Sequence, residues 1–70
     1  MDSQPLTYEK LITQAEQHYE ASEFQKAIDC ATKAINTDEN RVDGYFWRGR
    51  SYWRTYESEN ALKDVDRLLP

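Results

Sequence analysis

The sequence predicts an all-α protein of two stacked antiparallel helical hairpins, and three observations lead to this prediction. Apolar and small residues recur at helical spacing in both halves of the chain. The 70 residues include only two Gly and two Pro, which disfavours a turn-rich β architecture. The two halves also match each other at one constant offset, which aligns Ala15 with Gly49. A chain of this length supports one hydrophobic core, so we expect a single domain over residues 1–70.

The first hairpin is predicted from a chain breaker and a turn. Pro5 suits the first turn of a helix, which we place over residues 5–21. A short polar turn follows, and the second helix is expected over residues 24–36. Because the connection is so short, the two helices are expected to lie antiparallel.

The second hairpin is predicted in the same way. Residues 37–40 supply turn formers and a candidate N-cap for a third helix over residues 41–55. Ser58 is a candidate N-cap for the fourth helix, which we expect to end at Pro70. The second connection is also short, so these helices are again expected to be antiparallel neighbours.

Small residues recur at matching places in the two halves. The offset that aligns Ala15 with Gly49 also aligns Ala27 with Ala61. Helices that approach to about 8–10 Å need small side chains where they cross. A Gly inside a helix costs roughly 1 kcal/mol relative to Ala, so Gly49 needs a reason in packing. We therefore expect the fourth helix to pass close to Gly49.

This pattern resembles the tetratricopeptide repeat, a helix–turn–helix unit of about 34 residues with small residues at helix crossings and aromatic residues between helices. The second half has the signature residues Tyr45, Gly49, Tyr52 and Ala61. The first half has Leu11, Ala15, Phe24, Ala27 and Ala34, with His18 where Tyr is usual. The resemblance covers residues 8–70, with a first repeat over about 8–41 and a truncated second repeat over about 42–70. The sequence departs from the family pattern at Gln14, Glu39, Arg48 and Ser58.

The resemblance implies a binding surface. In that family the first helix of each pair lines a concave face, which here carries Glu9, Ile12, Glu16, Tyr19, Asp43, Phe46, Arg50 and Trp53. Aromatic residues with ionic groups give affinity and register to a bound peptide. We expect a protein–protein interaction module, part of a larger scaffold or co-chaperone-like protein, with a peptide-binding site at Ile12, Glu16, Tyr19, Phe46, Arg50 and Trp53.

The same aromatic residues also have a plain packing interpretation. Tyr45 and Tyr52 at helical spacing are expected in the core, whereas Phe46 and Trp53 fit a core position and a ligand-facing position equally well. Trp47 falls between the core-facing and the ligand-facing positions of the third helix. Arg50 and Arg54 are the kind of pair that usually forms a solvated helix face.

The best-known site of the family is a carboxylate clamp, which in co-chaperones holds the acidic C-terminal tail of a heat-shock chaperone. Its first-repeat Lys and Asn positions are Ile12 and Glu16 in this sequence, and its second-repeat Asn position is Trp47. We therefore predict that the chain has no clamp of this kind.

An alternative function is self-association through the fourth helix. The expected self-association or capping surface consists of Leu62, Val65, Leu68 and Leu69. Helical repeat arrays normally end in a helix with a polar outer face. We expect one of three arrangements: further repeats after residue 70 in a longer protein, a homo-oligomer, or a partner that covers this stripe.

A third possibility is binding of single-stranded nucleic acid by the third helix. Four Arg occur between Arg41 and Arg54, and they alternate with aromatic residues that can stack on bases. The net charge is −4, however, and the first helix carries Glu9, Glu16 and Glu20, which repel phosphates. We therefore expect nucleic acid to be a less suitable partner than protein.

The composition also argues against several other classes. With one His and one Cys the chain lacks the residues for a structural zinc site or an intramolecular disulfide, and it has no Gly-rich phosphate loop. We predict no enzyme activity, no cofactor and no metal, with His18 in a packing role, Cys30 as an inert boundary thiol, and Asp64 and Asp66 on a solvated face. The sequence contains no apolar run near the roughly 18 residues of a membrane span, and its N-terminus lacks the pattern of a targeting signal. We expect no membrane association and a reducing, cytoplasmic location.

Overall fold

The computed structural model describes residues 7–69, and all regular structure in that range is α-helical. The helices are α1 (Tyr8–Glu20), α2 (Phe24–Thr37), α3 (Asp43–Arg54) and α4 (Ser58–Asp66). Each helix packs against the next one in the sequence, and α1 also contacts α3. The predicted all-α class is therefore confirmed as a four-helix arrangement with sequential packing. None of the helices in residues 7–69 is long and apolar enough to cross a membrane.

The first helix begins at Tyr8 within the described residues. Thr7 is its N-cap, and the Thr7 hydroxyl accepts a hydrogen bond from the backbone N–H of Lys10 at 3.2 Å. This bond satisfies one of the N–H groups that a helix start leaves without an intrahelical partner. The predicted start at Pro5 lies outside the described residues.

The third helix begins at Asp43, later than the predicted start at Arg41, and its cap is not the expected one. The Asp38 carboxylate, in the preceding loop, accepts a hydrogen bond from the N–H of Asn40 at 3.1 Å. It therefore caps a turn of the loop and not the start of the helix. Val42 holds the N-cap position without a side-chain bond. The Tyr8 hydroxyl, from α1, accepts the N–H of Gly44 at 3.0 Å and so performs the capping.

The fourth helix is shorter than predicted. It ends at Asp66, and the N–H groups of Leu68 and Leu69 then bond to carbonyls only three residues earlier. Such bonds tighten the last turn of a helix, and a residue before proline avoids the α conformation. The expected end at Pro70 was therefore too late. Ser58 is the first helical residue and not the cap, and no side chain caps this helix start.

The two turns within the hairpins have the same backbone geometry. Ser22 and Tyr56, which align at the constant offset between the two halves, are the non-glycine residues with positive φ in the described range, at 62° and 63°. The Glu23 N–H bonds to the His18 carbonyl at 2.8 Å, and the Glu57 N–H bonds to the Tyr52 carbonyl at 2.9 Å. This six-to-one bond is that of a Schellman motif, which ends each helix and reverses the chain.

Small residues form the helix crossings. The side chains with no exposed area include Ala15, Ala27, Ala31, Ala34 and Ala61. A Cβ atom placed on Gly49 would lie 3.3 Å from Asp64 Cβ and 3.7 Å from the Ala61 carbonyl, so the expected close approach of α4 is confirmed. Gly44 has an even closer neighbour, since a Cβ atom there would lie 2.7 Å from Ile35 Cγ1 of α2.

Candidate functional site

We call the surface formed by the expected binding residues of α1 and α3 the α1–α3 face. The side chains of these residues differ in how far they are exposed to solvent. Phe46 and Trp53 are 39% and 47% exposed, and Arg50 and Glu16 are also exposed. Tyr19 is half-buried, and Ile12 packs against the core cluster of Tyr8, Leu11 and Ala34. The exposed apolar area of this face is therefore provided by α3.

Arg50 brings three of the aromatic rings together. Its Cζ atom lies 4.9 Å from the ring centre of Tyr19, 5.2 Å from that of Phe46 and 5.4 Å from that of Trp47. A guanidinium group within about 6 Å of an aromatic ring is attracted to the ring's negative face. The structure thus joins Tyr19, Phe46 and Arg50, which were predicted to share a site, and adds Trp47 to them.

The rings also contact one another edge to face. The centre of the Tyr19 ring lies 5.4 Å from that of Phe24 and 5.6 Å from that of Trp47, and the ring centres of Trp47 and Phe46 are 5.1 Å apart. We call these four residues the aromatic cluster. Such contacts hold the rings in fixed positions between α1, α2 and α3.

Arg54 is a second arginine on the aromatic cluster and was not predicted as a site residue. Its Cζ atom lies 4.8 Å from the Phe24 ring and 5.9 Å from the Tyr19 ring. Burial raises the pKa of Tyr19, but the nearby guanidinium groups of Arg54 and Arg50 outweigh burial and bring that pKa below its usual value. The signal in the sequence was the spacing of Trp47, Arg50 and Arg54, which places the three on one side of a helix.

The far end of the face is acidic. Glu9 accepts a hydrogen bond from Arg41 Nη1 at 2.7 Å, which lowers the pKa of Glu9. Arg41 also lies 3.6 Å from the carboxylate of Asp43 and 4.1 Å from the centre of the Tyr8 ring. These residues line a shallow cleft of about 260 Å³ together with Ile12 and Thr13.

The residues of the expected capping surface lie on α4 and in the segment after it, and they differ in exposure. Leu62 and Leu69 are 54% and 63% exposed, whereas Val65 and Leu68 are half-buried. Val65 faces α3, since its Cγ2 would lie 3.7 Å from a Cβ atom on Gly49. Only the two exposed leucines present a large apolar area to a partner.

Asp64 was wrongly assigned to a solvated face. Its side chain is almost fully buried, and both carboxylate oxygens accept hydrogen bonds from Arg48 at 2.8 Å. The assignment failed because Asp64 and Asp66 look alike in sequence, whereas only Asp64 lies on the side of α4 that meets Arg48 of α3. This ion pair takes both side chains away from the surface available to a ligand.

Cys30 and His18, the single cysteine and the single histidine of the sequence, each lie close to a polar side chain. Cys30 is half-buried and its Sγ lies 3.8 Å from the Gln14 amide oxygen, and burial raises the pKa of the thiol. Raising that pKa favours the neutral thiol over the nucleophilic thiolate. His18 Nδ1 lies 2.8 Å from Glu23 Oε1, across the first turn. Residues 7–69 hold no group of three His, Cys, Asp or Glu side chains that could bind a metal ion.

The α1–α3 face thus combines exposed aromatic rings, two arginines and an acidic opposite end. Such a surface can bind a polypeptide through aromatic contacts and charge pairing. Comparison of this chain with known protein families, with curated proteins and with solved structures found no match.

Proposed function

We propose that the chain is a protein–protein interaction module of two tetratricopeptide-like repeats, which binds a peptide or protein segment on the α1–α3 face. The observation that carries this proposal is the exposure of Phe46 and Trp53 on either side of Arg50 on α3. Aromatic and arginine side chains are enriched among residues that dominate binding energy at interfaces. Such a module would serve as one part of a larger scaffold.

The two-repeat interpretation is supported by equivalent contacts in the two halves. The turn residues Ser22 and Tyr56 share their backbone conformation and align with each other in the internal repeat. The contact between Gln14 and Cys30 in the first hairpin aligns in the same way with the ion pair between Arg48 and Asp64. Two units that agree in their turns and in their helix-to-helix contacts behave as copies of one helical hairpin.

The Phe46 ring is suited to binding because it packs on other aromatic rings. Phe46 lies against Trp47, which in turn lies against Tyr19 of α1. A partner that covers Phe46 therefore orders few additional side chains, and the entropic cost of association stays low. Trp53 has no aromatic partner ring within residues 7–69, so its ring remains available for a ligand.

The proposal is tested by selecting dodecapeptides from a random display library on the full chain and titrating the selected peptides by fluorescence anisotropy. We expect Phe46→Ala/Trp53→Ala to weaken binding at least tenfold, about 1.4 kcal/mol or more. The matched control is Leu62→Ala/Leu69→Ala, which removes two exposed apolar side chains from α4 and the segment after it and should leave the affinity unchanged. Circular dichroism must show intact helices in both variants. Equal affinity for the folded Phe46/Trp53 variant would refute the assignment of this face.

A second candidate function is self-association, which the exposure of Leu62 and Leu69 favours. Exposed apolar residues on a terminal helix of a repeat array are normally covered by a further element. Sedimentation equilibrium should then show a dimer that Leu62→Ala/Leu69→Ala converts to a monomer. A monomeric mass for the wild-type chain at high micromolar concentration would exclude this candidate.

A further inference from the structure

Two positive charges converge on one ring of the aromatic cluster. Arg50 and Arg54 are one helical turn apart on α3, and their Cζ atoms lie 4.9 and 5.9 Å from the Tyr19 ring centre. Like charges at this spacing on a helix repel each other. The rings beneath them offset part of this repulsion but supply no negative charge of their own.

Three other Lys or Arg side chains in residues 7–69 are paired with acids. Arg41 lies 2.7 Å from Glu9, Arg48 lies 2.8 Å from Asp64, and Lys26 lies 3.6 Å from Glu23. Among residues 7–69, neither Arg50 nor Arg54 forms an ion pair with a carboxylate. Their exposed guanidinium groups therefore remain free to bind an anion that another molecule supplies.

We propose that Arg50 and Arg54 bind the carboxylate of an acidic side chain in the bound segment, while Phe46 and Trp53 contact an apolar residue next to it. This inference rests on the proposed function and names the chemistry of its ligand. A planar guanidinium group matches a carboxylate through two parallel N–H donors. Stacking on Tyr19 and Phe24 already restricts the two arginine side chains, which reduces the entropy lost on binding.

The arrangement differs from the carboxylate clamp of the family. That clamp places its groups at the positions of Ile12, Glu16 and Trp47, which here are apolar, acidic and aromatic. The two arginines instead come from a single helix and lie on aromatic rings. An internal acidic residue of a peptide can meet them, so no free C-terminus is required.

A discrete carboxylate suits this surface better than a nucleic acid does. The first helix carries Glu16 and Glu20, which form no ion pair within residues 7–69. The single Arg41 is shared by the two carboxylates of Glu9 and Asp43. A polyanion that followed the face from Arg54 towards Asp43 would meet these carboxylates and be repelled. A peptide can place one or two acidic residues at the arginines and uncharged or basic residues along the rest.

The test uses the peptides selected on the full chain by display. Peptides should be enriched in Asp or Glu next to an apolar residue. Arg50→Gln/Arg54→Gln should weaken their binding at least tenfold and flatten its salt dependence. Lys33→Gln/Lys63→Gln is the matched control, because it removes the same charge from exposed positions on α2 and α4 and should preserve the affinity. Replacing the acidic residue of the peptide by its amide should weaken binding to the wild type but not to the arginine variant.

The outcomes separate this inference from the function on which it rests. If selected peptides depend on Phe46 and Trp53 but not on the two arginines, the acidic-ligand inference is wrong and the proposed function stands. If no peptide depends on Phe46 and Trp53, both are wrong. Tighter binding of random single-stranded RNA than of any selected peptide, with a steep salt dependence, would also overturn the inference.

Discussion

The guanidinium group of Arg48 holds both carboxylate oxygens of Asp64, with Nε–Oδ2 and Nη2–Oδ1 distances of 2.8 Å. Nη1 of the same residue also donates to Thr32 Oγ1 of α2 at 3.3 Å. One arginine of α3 therefore connects α2 and α4. The hydrogen bond to Asp64 raises the pKa of Arg48, so the arginine stays charged under all practical conditions.

Removing one partner of this pair should destabilise the fold strongly. Arg48→Leu leaves the buried Asp64 carboxylate unpaired, and we expect the free energy of unfolding to fall by about 3 kcal/mol or more. Chemical denaturation followed by circular dichroism measures this change. The double variant Arg48→Leu/Asp64→Ala should lose less than the sum of its single variants, since no uncompensated charge remains.

The control for that experiment is Arg41→Leu. The pair of Arg41 with Glu9 is exposed on both sides, so its loss should cost far less than the loss of the buried pair. If Arg48→Leu costs no more than Arg41→Leu, or if the single and double variants of the buried pair are additive, the pair of Arg48 with Asp64 does not hold α2, α3 and α4 together.

The two glycines of α3 should respond differently to substitution by alanine. A Cβ atom on Gly44 would lie 2.7 Å from Ile35 Cγ1 and 3.2 Å from the Ala31 carbonyl, so the Ile35 side chain or one of the two helices must shift. We expect Gly44→Ala to destabilise by about 1–3 kcal/mol, the usual cost of overpacking. At Gly49 the nearest atom is 3.3 Å away, and the better helix propensity of Ala, about 1 kcal/mol, offsets a small displacement. Thermal unfolding that ranks Gly49→Ala below Gly44→Ala in stability would contradict this packing.

These glycines show what the sequence could and could not predict. The internal repeat placed Gly49 opposite Ala15 and led to the confirmed approach of α4. Gly44 has Lys10 as its counterpart in the first half, so the repeat pattern contained no sign that α2 lies against α3 at this position. Periodicity reports which residues face the neighbouring helices, whereas the distance at each crossing depends on the side chains of both helices.

The arrangement of the side chains on the α1–α3 face was predicted to a similar extent. The resemblance to a repeat family placed Tyr19, Phe46 and Arg50 on a common surface, whereas helical spacing alone relates only Phe46 and Arg50, which share α3. The position of Arg54 on the Phe24 ring was missed, since that contact joins α3 to the start of α2 across the turn of the first hairpin. Contacts between elements that are distant in sequence need the packed structure.

The Tyr8 hydroxyl should contribute to stability as the cap of α3. Tyr8→Phe removes the acceptor of the buried Gly44 N–H, and we expect a loss of about 1–3 kcal/mol in the free energy of unfolding. Tyr52→Phe is the matched control, because the Tyr52 hydroxyl forms no hydrogen bond with another residue in the described range. Urea denaturation in which the two variants lose equal stability would show that the Tyr8 bond contributes nothing specific.

Stability should fall in acid because two exposed carboxylates have lowered pKa values in the folded state. The hydrogen bond from Arg41 lowers the pKa of Glu9, and the hydrogen bond from His18 together with the charge of Lys26 lowers that of Glu23. As the pH falls, the unfolded chain therefore binds protons at these carboxylates before the folded chain does. The stabilisation is complete above the pKa of the unfolded state and is lost as the pH falls from about 5 through the pKa of the folded state.

Urea midpoints measured across that pH range test this dependence. Glu9→Gln should show a smaller loss between neutral and acid pH than the wild-type chain does. Glu59→Gln, an exposed carboxylate without an ion pair in residues 7–69, should keep the wild-type loss. An unchanged pH dependence in Glu9→Gln would mean that the bond to Arg41 is not maintained in solution.

Tyr56 should be replaceable by glycine with a gain in stability. It has a positive φ of 63° at the end of α3 and is 91% exposed, so its side chain adds almost no packing to the conformation it must adopt. A residue with a side chain loses about 1–2 kcal/mol in the left-handed conformation, and Gly avoids this cost. Gly also has more freedom in the unfolded chain, which reduces the stability gained by about 0.5–1 kcal/mol. We therefore expect Tyr56→Gly to raise the free energy of unfolding by about 0.5–1 kcal/mol, measured by urea denaturation.

Tyr56→Ala keeps the unfavourable conformation and should remain close to the wild type, whereas Ser22→Gly, at the equivalent turn, should also be stabilising. Lower stability of Tyr56→Gly than of Tyr56→Ala would show that the turn does not have this geometry.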